Sequence, residues 1–447
     1  MLPEYACCPP RFDYMTLEER RKLQGERLKA QVRHVYESAP FWRKKLNDAG
    51  ITPEDIKGLD DLRKIPFTIK QELQDDQEKN PPYGSYLAVH PSNLYQFFAT
   101  SGTTGKPLNR TMSRRDWDLY TGRLAVYTPF NPGEIVVVLG PTDGLMGPSA
   151  GAAARMLMGA MVVRLGRYST PEKISLIHQL KPTLVSSTGS FLLYLADKAN
   201  EMGMSFSEMG SVRIVESVGE PAATIPATRE RIISAWGAKE VFDRYGSTEM
   251  CVLGRSCQGS TQLHAWDDYV IVEVVEIGGN RVLDPGERGE LVYTNIFGDS
   301  QPLLRYRSND VGRLSEFGSC PGCGATCTRI VNGVEGRADD MIWYKGINIF
   351  PSAIENVVRS FNELGNEYEI ILDEEGFTQT LTIRCEAKLE VPKDKYGELS
   401  KRVASKVQDA IEGVHPKIEV LPEGTLPKTE GKAKRIRDNR KKTRGVA

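Results

Sequence analysis

Thr100-Ser101-Gly102-Thr103-Thr104-Gly105-Lys106-Pro107 is a run of hydroxyls and glycines closed by a lysine, directly after the apolar, strand-like Tyr95-Gln96-Phe97-Phe98-Ala99. Glycines let the backbone turn so that successive N–H groups converge on an anion, and the hydroxyls and the ammonium add further donors. A triphosphate is the ligand such an array suits. The spacing departs from the common P-loop, which has four residues between its glycines and ends in Gly-Lys-Ser/Thr. Here two residues separate Gly102 from Gly105, and a proline follows the lysine.

Outward from this loop, short β-branched runs alternate with helical segments. Residues 135–139, 161–165, 183–187 and 212–217 read as buried strands, each followed by a turn containing glycine or proline. That alternation predicts an α/β fold with a mainly parallel sheet covered by helices. Upstream, Thr16-Leu17-Glu18-Glu19 is a capping box, and Leu28, Val32, Val35 and Tyr36 then share one helical face. Between residues 269 and 313 the pattern changes to hairpins, with turns at Ile277-Gly278-Gly279-Asn280 and Asp284-Pro285-Gly286, so a β subdomain is expected. Beyond Asp340, residues 368–372, 381–387 and 417–421 read as strands. Leu399, Val403, Val407 and Ile411 recur every four residues as a helical stripe, which together predicts a small α+β domain.

The 447 residues carry 58 basic and 59 acidic side chains, a net charge of −1, so no global field favours nucleic acid or an anionic membrane. Met1-Leu2-Pro3-Glu4-Tyr5 has no basic region leading into an apolar core, and residues 145–165 contain Arg155 and Arg164 among many small residues. A soluble cytoplasmic protein is the expectation, with no nucleic-acid or membrane partner. Residues 432–444 are dense in lysine and arginine, and such an end reads as a solvated face rather than a nucleic-acid tail.

The glycine loop resembles the phosphate-binding signature of the adenylate-forming superfamily, which includes acyl- and aryl-CoA ligases, luciferases and peptide-synthetase adenylation domains. Further motifs follow in that superfamily's order: Tyr245-Gly246-Ser247-Thr248-Glu249, Tyr306-Arg307-Ser308-Asn309-Asp310, Gly336-Arg337-Ala338-Asp339-Asp340 and Gly431-Lys432-Ala433-Lys434-Arg435. Within it, the chain is most similar to the phenylacetate-CoA ligase group, through Val35-Tyr36-Glu37-Ser38-Ala39-Pro40-Phe41-Trp42, Ile65-Pro66-Phe67-Thr68-Ile69-Lys70 and Lys345-Gly346-Ile347-Asn348-Ile349-Phe350-Pro351-Ser352. The resemblance implies a large multi-sheet N-terminal adenylation domain over residues 1–338 and a small mobile C-terminal lid over 339–447.

It also implies roles. Thr100, Ser101, Gly102, Thr103, Thr104, Gly105 and Lys106 would hold the outgoing phosphates of ATP. Glu249 would coordinate Mg²⁺, a hard ion that takes oxygen ligands and bridges phosphates. Tyr245 would pack on the adenine, Gly246 would leave room for the acyl group, and Ser247 and Thr248 complete that motif. Gly219, Glu220 and Pro221 would border the purine. Asp310 would accept both ribose hydroxyls, as an ionised carboxylate can, despite Ser308-Asn309 in place of the commoner Thr-Gly. Arg337 would reach the ribose or a phosphate, Asp339 would be the hinge, and Gly346 would let the pantetheine arm of coenzyme A pass. Lys432 is the candidate to bridge the carboxylate and the α-phosphate, with Lys428 and Lys434 as neighbours that could be mistaken for it.

Cysteine spacing adds a metal. Cys320-Pro321-Gly322-Cys323 is a Cys-x2-Cys pair on a glycine-rich knuckle, Cys327 lies four residues on, and Cys257 and His264 lie upstream. Such ligands suit tetrahedral Zn²⁺ in a structural role, with Cys257, His264, Cys320 and Cys323 as the favoured set and Cys327 as a competitor for Cys323. Cys7, Cys8 and Cys385 read as packing residues.

The function expected is an AMP-forming aryl-CoA ligase acting on a small aromatic carboxylate, ATP and CoA. An adenylation enzyme that loads an acyl or aminoacyl group onto a carrier protein is the alternative. A homodimer is compatible with the sequence.

Overall fold

The β-branched runs line up side by side in the computed structural model, which describes residues 10–100, 106–126, 133–257, 260–344, 347–375, 378–411, 413–428 and 435–440. Met161–Arg164, Ile135–Val138, Leu184–Ser187, Ile214–Val218 and Glu240–Ser247 form, in that spatial order, the parallel half of an eight-stranded sheet. The sheet continues antiparallel through Cys251–Ser256, Leu263–Ala265 and Arg329–Ile330. The inner parallel strands are buried on both faces, because helices cover the sheet on either side, whereas Met161–Arg164 at the edge is partly exposed. Met146–Leu157 lies on one face. Gly189–Glu201 and Pro226–Trp236 lie on the other, where Val185, Val215, Leu192, Leu195, Ile232 and Trp236 share a buried core.

The hairpin region is a four-stranded sheet in the order Val270–Val275, Gly289–Asn295, Tyr306–Gly312, Gly336–Arg337. Against it and its neighbours packs the N-terminal helix Leu17–Ser38, whose capping box forms with Thr16 and Glu19 and whose Leu28, Val32 and Val35 are buried. Segment 65–70 attaches to this sheet through Thr68. Its N–H donates to the Arg305 carbonyl at 2.9 Å, and its carbonyl accepts from the Arg307 N–H at 2.9 Å. Arg305 lies 3.9 Å over the Phe67 ring, which fixes the segment further.

The C-terminal domain has the strands read from sequence, in the order Lys417–Pro422, Thr378–Ala387, Leu364–Glu375, with one more beyond them. Ile436–Asp438, inside the basic run read as a solvated face, instead pairs parallel with Leu364–Glu375. Its cations meet acids of that strand: Arg435 with Glu367, and Arg437 with Glu369 at 3.3 Å. Helix Tyr396–Ala410 buries Leu399, Val403 and Val407 against these strands. No helix among the described residues is long and apolar enough to cross a membrane.

The carboxyl ends of Leu184–Ser187, Ile214–Val218 and Glu240–Ser247 meet at one edge, the place where parallel sheets bind ligands. One buried carboxylate shapes that edge. Asp243 accepts from the N–H groups of Ala222 (3.1 Å), Ala223 (2.8 Å) and Thr224 (2.9 Å) and from the Thr224 hydroxyl (2.9 Å), which holds the turn after Gly219-Glu220-Pro221. Asp243→Ala leaves those donors buried without an acceptor. Chemical denaturation is expected to show a loss of stability on the order of 3 kcal/mol, with weaker nucleotide binding.

Candidate active site

The glycine loop joins a hairpin. Leu94–Ala99 pairs antiparallel with Asn109–Ser113, and Thr100 continues the pairing, its N–H donating to the Leu108 carbonyl at 3.0 Å and its hydroxyl accepting from the Leu108 N–H at 2.9 Å. Lys106 is exposed and pairs with Glu78 at 2.7 Å. Ser101, Gly102, Thr103, Thr104, Gly105, Gly346 and Lys432 lie outside the described residues, as do Cys7, Cys8 and Lys434. Lys428 is described. It pairs with Glu201 at the end of helix Gly189–Glu201, at 2.9 Å.

Strand Glu240–Ser247 delivers Tyr245, Gly246, Ser247, Thr248 and Glu249 to the sheet edge. Glu249 is buried and pairs with Lys70 at 3.0 Å. Burial opposes its charge, but the Lys70 ammonium and hydrogen bonds outweigh burial and hold the carboxyl below the usual carboxylate range. Lys70 reaches Glu249 because Thr68 fastens the preceding segment to strand Tyr306–Gly312. The motif 65–70 was visible in the sequence, but this ion pair was not.

The hydroxyl of Tyr245 donates to Asp310 and accepts from Tyr293 at 2.9 Å. Asp310 also lies 3.7 Å from Arg337, and Arg337 makes a two-pronged contact with Asp339 at 2.8 and 2.9 Å. The residues expected to hold the ribose and the residue expected to act as hinge therefore share one network. Asn309 adopts a left-handed backbone, φ +63°. Asparagine tolerates that conformation better than other residues with a side chain, which explains how it stands where glycine is commoner. The Asn309 N–H is held by Glu290 at 3.0 Å, and the Ser308 hydroxyl accepts from the Asp310 N–H at 3.0 Å.

Gly219 has φ +93°, a conformation glycine adopts without penalty, and Glu220 after it accepts from the Ser190 N–H at the start of helix Gly189–Glu201. Burial raises the Glu220 carboxyl above its ordinary range, and the Ser190 N–H opposes that rise. Pro221 completes the turn that Asp243 fastens.

The C-terminal domain sits on this edge through helix Pro226–Trp236. Arg231 donates to the carbonyls of Arg359 (2.7 Å), Phe361 (2.7 Å), Leu364 (3.0 Å) and Gly365 (2.8 Å) and to the Asn366 side chain (3.0 Å). Asn366 also donates to Asp197 at 2.9 Å. Nothing in the sequence around Arg231 marks it, since its acceptors are mostly backbone carbonyls far along the chain.

Away from the cleft, Cys257, His264, Cys320 and Cys323 place one ligand atom each within 4.8 Å of all the others. Cys257 Sγ lies 3.7 Å from Cys320 Sγ, and Cys323 Sγ lies 3.9 Å from His264 Nδ1. Tetrahedral Zn²⁺ with bonds of about 2.3 Å to sulfur requires edges of about 3.8 Å, so the donor set fits that ion. Burial pushes the His264 imidazole down to about 4, leaving the neutral ring a metal ligand needs. Cys327 is buried nearby but is not a member of the group. Cys385 is buried within Thr378–Ala387 as a packing residue.

Comparison with known proteins agrees with this geometry. The AMP-binding enzyme family matches residues 20–296, and the AMP-binding enzyme C-terminal domain matches residues 346–440. A phenylacetate-coenzyme A ligase of Thermus thermophilus is 32% identical over 97% of this chain and 99% of its own. The Escherichia coli phenylacetate-coenzyme A ligase is 29% identical over 95% and 96%. The crystal structure of a 2-hydroxyisobutyryl-CoA ligase in the postadenylation state, with R3-HIB-AMP, superposes at TM-score 0.89, 28% identity, covering 96% of this chain and 92% of that one. The same ligase in the thioesterification state, with 2-HIB-AMP and CoA, gives a TM-score of 0.70. The chain belongs to the AMP-binding enzyme family and is similar over nearly its whole length to the phenylacetate-coenzyme A ligases within it.

Proposed function

We propose that this protein is an AMP-forming aryl-CoA ligase. A carboxylate oxygen attacks the α-phosphorus of ATP and pyrophosphate leaves. The CoA thiol, losing its proton, then attacks the acyl carbon of the acyl-adenylate, and AMP leaves. The observation that carries this reading is the gathering of Glu249, Tyr245, Asp310 and Arg337 at one sheet edge, in a chain aligned end to end with CoA ligases. Full-length likeness to CoA ligases favours free CoA over a carrier protein as the acceptor.

In this reading the glycine loop and Lys106 hold the phosphates, and Asp310 holds the ribose. Gly219, Glu220 and Pro221 border the purine. Glu249 would hold Mg²⁺, which would supply positive charge to the phosphates. Lys70, paired with Glu249 at 3.0 Å, would be available to the phosphates as a further cation wherever a metal took that carboxylate. Lys432 bridges the reacting oxygens. The domain boundary falls at Asp339, between residues 1–338 and 339–447.

The docked C-terminal domain corresponds to the adenylating side of the cycle, since the arrangement superposes better on the postadenylation form of the hydroxyisobutyryl ligase than on its thioesterification form. Arg231 then stabilises that arrangement, and rotation about Asp339 must break its bonds and the Arg337–Asp339 contact before the thiol can enter past Gly346.

Cys257, His264, Cys320 and Cys323 would hold a structural Zn²⁺ that would tie the end of strand Cys251–Ser256 and strand Leu263–Ala265 to the 320–324 knuckle. Protein purified without an affinity tag should carry about one zinc per chain by elemental analysis. Cys320→Ser should lower both the metal content and Tm, whereas a metal-free preparation of undiminished Tm would reject the site.

Separate assays of the half-reactions test the proposed cycle. Lys432→Ala should abolish adenylate formation and still convert a supplied acyl-adenylate to thioester. Asp339→Pro should damage mainly the thioester step, by stiffening the hinge backbone. Arg231→Ala should slow adenylation severalfold more than thioester formation. Equal loss of both half-reactions in all three folded variants contradicts the rotating lid.

A further inference from the structure

The segment that carries Lys432 is fastened at both ends, and the two fastenings belong to different domains. Upstream, Leu426 is held within the C-terminal domain, its N–H donating to the buried carboxylate of Glu386 at 2.5 Å. Two residues on, Lys428 crosses to the large domain and donates to Glu201 Oε1 at 2.9 Å. Downstream, Arg435 is fixed to strand Leu364–Glu375. Its carbonyl accepts from the Ile370 N–H at 2.7 Å, and its guanidinium meets Glu367. Residues 429–434 lie outside the described residues, but both of their flanks are described.

Glu201 closes helix Gly189–Glu201, and Asp197 stands one turn before it. The two carboxylates receive donors from separate parts of the C-terminal domain: Asp197 from Asn366 at 2.9 Å, and Glu201 from Lys428. Glu201 is shared, since Lys198 of its own helix donates to Oε2 at 2.6 Å. Lys198 and Lys428 hold the Glu201 carboxyl below its ordinary range, and Glu201 holds the Lys428 ammonium above its own. The Lys428 and Glu201 side chains are 32% and 48% exposed, so the pair is a weak one. Lys198 also keeps Glu201 partnered when Lys428 departs. The contact can therefore form and break readily, which suits a domain that must leave and return in each turnover.

We propose that Glu201 is a positioning residue for adenylation: by holding Lys428 it anchors the upstream end of the Lys432 segment to the large domain while the C-terminal domain is docked. This inference rests on the ligase reading, since that reading assigns Lys432 to the reacting oxygens. Four residues take the chain from Lys428 to Lys432, a span of at most about 14 Å. Anchoring Lys428 removes freedom that the lysine must otherwise give up when it reaches the reacting atoms. Rotation about Asp339 would carry Lys428 off Glu201, so the anchor serves the first half-reaction and not the second.

The test uses the full-length enzyme and the aromatic acid that the wild type adenylates fastest, with the two half-reactions assayed separately. Glu201→Gln should lower kcat for adenylation about threefold to fivefold, the range of one exposed ion pair, with KM for ATP unchanged and thioester formation from supplied adenylate not slowed. Lys428→Met should act alike and add nothing in the Glu201→Gln background. Rising ionic strength should narrow the gap between wild type and variant, which a loss of packing would not do. Additive losses from the two substitutions, or equal slowing of both half-reactions, overturn the positioning role. Hydrogen–deuterium exchange separates this inference from the ligase reading, because it needs no turnover. The amides of residues 423–428 should exchange faster in Glu201→Gln than in the wild type. Faster exchange in a protein that forms no adenylate from any acid keeps the anchor and rejects the ligase. Unchanged exchange, or unchanged adenylation in the variant of an active wild type, overturns the anchor and leaves the ligase standing.

Discussion

Two anions must be brought into bonding contact: a carboxylate and the α-phosphate of a nucleotide already carrying several negative charges. That repulsion sets what the cleft has to supply, which is positive charge in fixed positions with water kept away. The cations come from separate parts of the chain: Lys106 beside the hairpin, Lys70 from the segment held by Thr68, and Arg337 from the last strand of the β subdomain. Each is paired with an acid, Glu78, Glu249 and Asp339 respectively. The exposed Lys106–Glu78 pair is worth at most about 1 kcal/mol, so in the proposed reading a phosphate would displace Glu78 at little cost. The Lys70–Glu249 pair is more buried, and exchange there requires a stronger competitor, such as a divalent ion for the carboxylate and a phosphate for the ammonium.

In the proposed reading the same network would tie nucleotide to hinge. Asp310 connects to Tyr245 on one side and to Arg337 on the other, and Arg337 grips Asp339. In the proposed reading, a ribose that took hydrogen-bonding capacity from Asp310 would change what Arg337 can hold, and with it the freedom of the chain at residue 339. On the far side of the cleft Arg231 donates to several carbonyls at once, a contact that the proposed rotation of the C-terminal domain would make or break as a unit.

Much of this was legible in the sequence. The parallel strands were legible because a strand buried on both faces reads as a short β-branched run, and the C-terminal helix because Leu399, Val403 and Val407 repeat at helical spacing. The metal-type cluster was legible from the Cys-x2-Cys knuckle. The polar groups that shape the site were not. Glu216 is the one acid in an apolar strand, Asp243 lies in a strand that also carries Glu240 and Arg244, and nothing local says what either acid binds. The partners of Glu216 lie 61 and 28 residues away. Lys70 and Glu249 are likewise joined only by tertiary structure. Strand Ile436–Asp438 was hidden by its composition, because charge density suggests solvent until the acids of Leu364–Glu375 are placed beside it.

The central claim is that the carboxylate attacks the nucleotide before any thiol is present. Exchange of labelled pyrophosphate into ATP, driven by an aromatic acid such as phenylacetate without CoA, measures that step alone. Acid-dependent exchange without CoA is the predicted result. Exchange that appears only when CoA is added would contradict an acyl-adenylate formed ahead of the thioester.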